Sequence, residues 1–119
     1  IRTLTYARAG HNYPLLIRDG KIIELKSKGK ILGIFSGLYF EEKAIDLNPG
    51  DKILFFTDGL SEAENPELIQ FEDVMNDHIL RLSKLPINDF IQNLYHELLT
   101  FREGYHFDDD VCLIGMEVE

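Results

Sequence analysis

Lys52-Ile53-Leu54-Phe55-Phe56-Thr57-Asp58-Gly59 is the stretch on which the fold turns. Its central residues are apolar on both alternating faces, the pattern of a strand buried on both sides. The run stops at Asp58-Gly59, which leaves a short carboxylate at the end of a rigid support, facing an exposed rim.

Upstream of that strand, Asn48-Pro49-Gly50-Asp51 has turn composition, and residues 43–47 alternate as a further strand. Earlier still, Asp19-Gly20 separates two apolar runs at residues 14–18 and 21–25. An Asp-Gly pair in that position predicts a hairpin, because both turn positions need positive φ. Residues 4–7 read as a short strand entering a turn at Ala9-Gly10-His11-Asn12, and residues 26–30 as a basic, solvated loop.

Downstream, the period changes to that of helices. Asn65-Pro66 offers an N-cap followed by proline at a first helical position. Phe71, Val74, Met75, Ile79 and Leu82 then fall along one side. A second helix is expected from about residue 87 to 102, with Phe90, Ile91, Leu94, Leu98 and Phe101 as its stripe and Gly104 as its C-cap. Both stripes are core rather than cofactor contacts. A last strand, residues 111–118 including Cys112, must rejoin the sheet, since an isolated edge that apolar would invite aggregation. Strands, two helices and a returning strand make an α+β fold, an antiparallel sheet covered by helices.

The totals narrow the function. A chain of 119 residues is one modest domain or a piece of one, and a formal net charge of −9 argues against nucleic acid or an anionic membrane as the main partner. A single cysteine excludes an internal disulfide framework and a multi-cysteine zinc site. No apolar run approaches the roughly 20 residues of a membrane span, so a reducing cytoplasm is the expected location. The sequence opens at Ile1 without an initiator methionine, and sequence upstream of it is expected.

Two acidic features stand out by position. Asp58 ends the buried strand, and Asp108-Asp109-Asp110 immediately precedes the last one. Carboxylates on adjacent strand ends would repel one another unless a cation sat between them, and a hard cation such as magnesium or manganese takes oxygen ligands. A turn at Asp58-Gly59 and a solvated triple-Asp loop account for the same residues without any metal. Other constellations are weaker. His96-Glu97 lacks the second histidine of a zinc-protease helix, Thr100 standing in its place, and Ser61 lacks the flanking glycines of a nucleophile elbow. Cys112 reads as an inert core residue, and His78 and His106 as surface or packing residues.

Three segments together resemble one family. Tyr6-Ala7-Arg8-Ala9-Gly10-His11-Asn12-Tyr13-Pro14-Leu15-Leu16 is similar to the AGHNPPLL-type signature of the sporulation stage II protein E phosphatases, a bacterial branch of the phosphatase 2C-like (PPM) superfamily. Leu47-Asn48-Pro49-Gly50-Asp51, continuing to Thr57-Asp58-Gly59-Leu60-Ser61-Glu62-Ala63, resembles its PGD…YTDGVTEA strand and turn. Phe107-Asp108-Asp109-Asp110-Val111-Cys112-Leu113-Ile114 resembles its DDITLL ending.

The resemblance implies part of a four-layer αββα sandwich, two antiparallel sheets flanked by helices, with a metal pair at one edge. It implies that Asp58 and Asp109 are metal ligands and the catalytic acids, with Asp110 the neighbouring metal-site acid, around Mn2+ or Mg2+ in a binuclear centre. Glu62 and the Gly10-His11-Asn12 turn would be structural. The activity implied is hydrolysis of phosphoserine or phosphothreonine on a regulatory protein, typically a phosphorylated anti-sigma-factor antagonist, under an upstream sensor or dimerising region. Two departures stand out: Cys112 replaces the motif's threonine, and the family's first Asp-Gly metal motif has no counterpart. Residues 1–119 are therefore expected to be the C-terminal portion of one phosphatase domain, inactive alone. Homo-oligomers are expected too, because half of a two-sheet sandwich leaves an apolar sheet face uncovered. The rival class is a non-catalytic phosphatase-like signalling module that binds a phosphoprotein or a regulator.

Overall fold

The structure, a computed structural model, describes residues 2–7, 12–26, 42–104 and 110–119. The expected hairpin is present: β2 (Leu15–Arg18) pairs antiparallel with β3 (Lys21–Glu24), Arg18 opposite Lys21. Asp19 and Gly20 take φ of 50° and 71°, the positive values that a two-residue hairpin turn requires. The doubly buried strand is β5 (Lys52–Phe56). It lies between β2 and β6 (Leu113–Glu117), giving an antiparallel four-stranded sheet in the order β3-β2-β5-β6. A second sheet pairs β1 (Arg2–Ala7) with β4 (Glu42–Leu47).

Alternation along β5 explains why it needs cover on both sides. Leu54 joins Leu15 and Ile17 against the helices α2 (Glu72–Leu82) and α3 (Ile87–Arg102), whose stripe residues Met75, Ile79, Leu82, Phe90, Leu94 and Leu98 are all buried there. Ile53 points the other way, into a second cluster with Leu16 and Leu25, packed by Ile45 and Leu47 of β4. The layers run helices, sheet, sheet. Each fully buried Leu or Phe side chain contributes about 1.5–3 kcal/mol, enough for packing to override local preferences. The α+β reading holds, and no helix among the described residues is long and apolar enough to cross a membrane.

Two buried charges pin the layers together. The Asp51 carboxylate accepts from Arg18 Nε at 3.0 Å and from the Asn48 N–H at 2.8 Å, while Arg18 Nη2 also donates to the Asp46 carbonyl at 2.8 Å. One guanidinium thus ties β2 to β4 and to the start of β5. Lys52 Nζ donates to the Ser83 carbonyl at 2.8 Å and pairs with Glu117, its cross-strand neighbour, at 3.0 Å, fixing the loop between the two helices to the sheet. Across the helices, Glu97 of α3 takes contacts from His78 Nδ1 (2.6 Å) and Arg81, with His78 stacked on Phe71. Burial pushes the Glu97 carboxyl up, but the Arg81 and His78 contacts more than offset this and hold it below its ordinary range.

Several expectations are corrected. No helix starts at Asn65-Pro66; α2 begins at Glu72. The Asn65 side chain instead accepts the N–H groups of Glu67 and Ile69, both at 3.0 Å, and Leu68 takes φ of 63°, so the asparagine closes a turn that competes with the helix. Cys112 is exposed and precedes β6, not buried within it. At the end of α3, Glu103 already adopts the left-handed conformation (φ 52°) ahead of Gly104 (φ 88°). The turn at residues 9–11, the loop at residues 27–30 and His106 lie outside the described residues.

Candidate functional site

The site is built where β5 ends. Thr57 is extended (φ −99°, ψ 166°), and its side chain does not cap the short helix α1 (Asp58–Ser61) that follows. Its hydroxyl donates instead to the Asp110 carbonyl at 3.1 Å and accepts the Cys112 N–H at 3.0 Å, while the Thr57 N–H donates to the Cys112 carbonyl at 3.2 Å. Three bonds therefore clamp the end of β5 to the segment that enters β6. Asp58 and Asp110, each one residue or less from this clamp, stand on adjoining chain segments at one rim, both exposed.

The Asp58 carboxylate is held from a second side: Asn12 Nδ2 donates to its Oδ1 at 2.7 Å. Asn12 immediately precedes the hairpin, so β2 orients the acid that β5 presents. Behind Asp58 the chain turns tightly, with Glu62 N–H bonding the Asp58 carbonyl at 2.8 Å and Gly59, Leu60 and Ser61 buried. Leu60 and Ala63 anchor this turn in the helical core.

Two concavities flank the acid. One, of about 170 Å³, is lined by Asp58, Glu62, Glu64 and the buried Arg102 of α3. The other, of about 360 Å³, opens on the Asn12 side between the start of the hairpin and the first turn of α2. Asp109 and Asp108 lie outside the described residues, so of the acids expected at the site Asp58 and Asp110 are the two whose surroundings can be stated. Among the described residues no group of three or more His, Cys, Asp or Glu stands close enough to hold a metal. The donor chemistry nonetheless suits a hard divalent cation, since Asp58 and Asp110 offer only oxygens.

Two residues at the site escape sequence reasoning. Asn12 reads as part of a turn, because its bond to Asp58 spans 46 positions and leaves no local trace. Arg102 does leave one: it falls four residues after Leu98, on the apolar stripe of α3, where a charge is out of pattern unless a partner or cavity receives it.

Comparisons with known proteins show the family and the fold. The family model described as Stage II sporulation protein E (SpoIIE) matches residues 1–119. Phosphoserine phosphatase RsbU of Bacillus subtilis (strain 168) is 28% identical over 119 residues, covering 92% of this chain and 33% of RsbU. The crystal structure of the RsbU and RsbW domains of Rv1364c from Mycobacterium tuberculosis superposes with a TM-score of 0.79 at 30% identity, over 97% of this chain and 32% of that one. The phosphatase domain of SpoIIE from Bacillus subtilis, manganese-presoaked, gives 0.76 at 15% identity over 98% and 51%; at that identity the likeness concerns the fold alone. The chain spans about a third of the length of RsbU.

Proposed function

This chain belongs to the Stage II sporulation protein E family, whose fold is that of the PP2C-like phosphatases, and from that premise we propose that it is the C-terminal portion of a protein serine/threonine phosphatase domain. The observation that carries the reading is the Thr57 clamp, which joins the segment bearing Asp58 to the segment bearing Asp110 where two family motifs meet. RsbU and RsbP, both named as phosphoserine phosphatases, are among its relatives and support a phosphoserine or phosphothreonine substrate.

In the complete domain, Asp58, Asp109 and Asp110 would hold Mn2+ or Mg2+ together with a further aspartate supplied by the rest of the domain. When bound, such a metal pair supplies the charge that lowers the pKa of water and offsets the phosphoryl oxygens. The chain's own residues prepare for this. Asn12 holds Oδ1 of Asp58, and Thr57 ties the two acidic segments together against their mutual repulsion. The substrate is a phosphorylated regulatory protein of the anti-sigma-factor antagonist type, in the cytoplasm, with an upstream sensor or dimerising region governing activity.

The test is turnover of p-nitrophenyl phosphate against manganese concentration in the domain completed by its upstream sequence. Asp58→Asn and Asp109→Asn should each cost more than the roughly 10- to 100-fold typical of losing an outer-shell partner. Asp108→Asn should be mild and Asp110→Asn intermediate, with unchanged melting as the folding control. Near-normal turnover by Asp58→Asn at low manganese would overturn the metal-site reading. Absence of metal-dependent turnover in the wild-type domain would move the protein to the other class, a non-catalytic phosphatase-like binding module.

A further inference from the structure

Leu68 combines two properties that rarely meet in one residue. It takes φ of 63°, in the left-handed region, and it is 74% exposed, more than any other large apolar side chain among the described residues. A surface leucine by itself is ordinary. A leucine at positive φ is not, because that conformation is disfavoured for a bulky side chain, whereas glycine and asparagine take it readily. The Asn65 turn explains why some residue has this φ at position 68. It gives no reason for leucine, whose side chain joins neither hydrophobic cluster. Strain kept at an exposed position points to a use for the side chain that bears it.

The loop holds Leu68 firmly and roots it at the candidate site. The Asn65 side chain accepts the N–H groups of Glu67 and Ile69, and the Leu68 N–H donates to the Asn65 carbonyl at 2.9 Å. The Asn65 N–H in turn donates to the Ile69 carbonyl at 3.0 Å, and a bridge between Glu64 and Gln70 closes the base. Both Glu64 and Gln70 line the 170 Å³ concavity that contains Asp58. The loop therefore springs from the wall of that concavity, with residues 66–69 all exposed at its tip. An apolar tip fixed in advance loses little conformational freedom on binding.

Resting on the phosphatase reading, we propose that Leu68, supported by Ile69, is a specificity-determining residue that packs against an aliphatic side chain of the phosphoprotein substrate, in the residues flanking its phosphoserine. Attachment to the wall beside Asp58 selects the substrate as the occupant. The contact is apolar because Pro66, Leu68 and Ile69 carry no side-chain donor or acceptor, and Glu67 is the single charge among them.

Leu68→Asn separates this contact from the fold, since asparagine tolerates the left-handed conformation. In the complete domain the variant should melt about 2–4 °C above wild type, whereas loss of a leucine that served stability would lower the melting temperature. Fluorescence anisotropy in chelator, so that no turnover occurs, then compares labelled phosphoserine peptides carrying leucine or asparagine at each flanking position in turn. Wild type should bind the best leucine peptide about tenfold tighter than its asparagine counterpart, and Leu68→Asn should lose that preference. Equal binding of all peptides by wild type, a leucine preference that survives in the variant, or a lower melting temperature would overturn the proposal. So would a fall in light-scattering mass on the substitution, which would assign the tip to a second copy of the chain. Wild-type hydrolysis of p-nitrophenyl phosphate is measured separately. Its absence would count against the phosphatase reading and leave the peptide preference fully measurable.

Discussion

Asp51 shows how much one buried acid can be asked to do. Its carboxyl is held below the usual range first by the Arg18 hydrogen bonds, against the opposing effect of burial, with the Asn48 N–H assisting. A lowered folded-state pKa means that the pair's stabilisation is fully present above the unfolded value, about 4, and is lost as pH falls through the folded value. Asp51→Asn should therefore lower the melting temperature clearly at pH 7, and the gap to wild type should begin to narrow below about pH 4. Thermal melts of both proteins from pH 7 to pH 3 check this; a constant gap would remove the carboxylate from the explanation. The same scale sets the limit of legibility. Asp58 could be picked out because it ends a buried strand, a local property. The Asn12 contact and the exposure of Cys112 could not, because both depend on partners 46 to 55 positions away.

Among the elements, β6 packs tightly against α3 at Gly115. A methyl group added at Gly115 would lie 2.7 Å from Ile87 Cδ1 and 2.8 Å from Ile91 Cδ1 and Cγ1. The isoleucine tips can give way, but Cγ1 sits nearer the helix and can do so only with a rotamer change or a shift of α3. Gly115→Ala should cost about 1–3 kcal/mol, the usual range for overpacking. Urea unfolding would measure it, and Ile91→Val in the same chain should recover part of the loss; no loss at all would mean that the helix stands farther off. The existence of α2, α3 and the described strands was readable, since 3.6-residue and two-residue stripes survive in the sequence, whereas the short α1 read as a turn. The start of α2 was not, because Asn65 serves a helix cap and an Asx-type turn equally well and only the return of the chain to Ala63 decides between them.

Across the whole molecule, the helices and the small sheet leave part of the larger sheet bare. β6 has β5 as its single neighbour among the described residues, and Ile114 and Met116, on the side away from α3, are 55% and 44% exposed. Ile23 adds a third exposed aliphatic side chain on β3. An apolar edge strand of this kind associates with copies of itself. Light scattering of the 119-residue chain should give a mass above one chain that rises with concentration, and Ile114→Lys should bring it down. A single-chain mass at all concentrations would refute this. Layer order was legible from the doubly apolar run at β5, whereas the split into two sheets came only with the family resemblance, because β1 and β4 alternate like any other strands.

The Thr57 latch also fixes an order of events during synthesis. The β2–β3 hairpin closes over two residues and can form early, but the bond from Thr57 to Asp110 joins positions 53 apart. A ribosome delivers residues in sequence, so Thr57 and Asp58 wait, unlatched, through the making of both helices. A growing chain therefore has no joined acidic rim until β6 has emerged, and the order of the strands alone sets that delay.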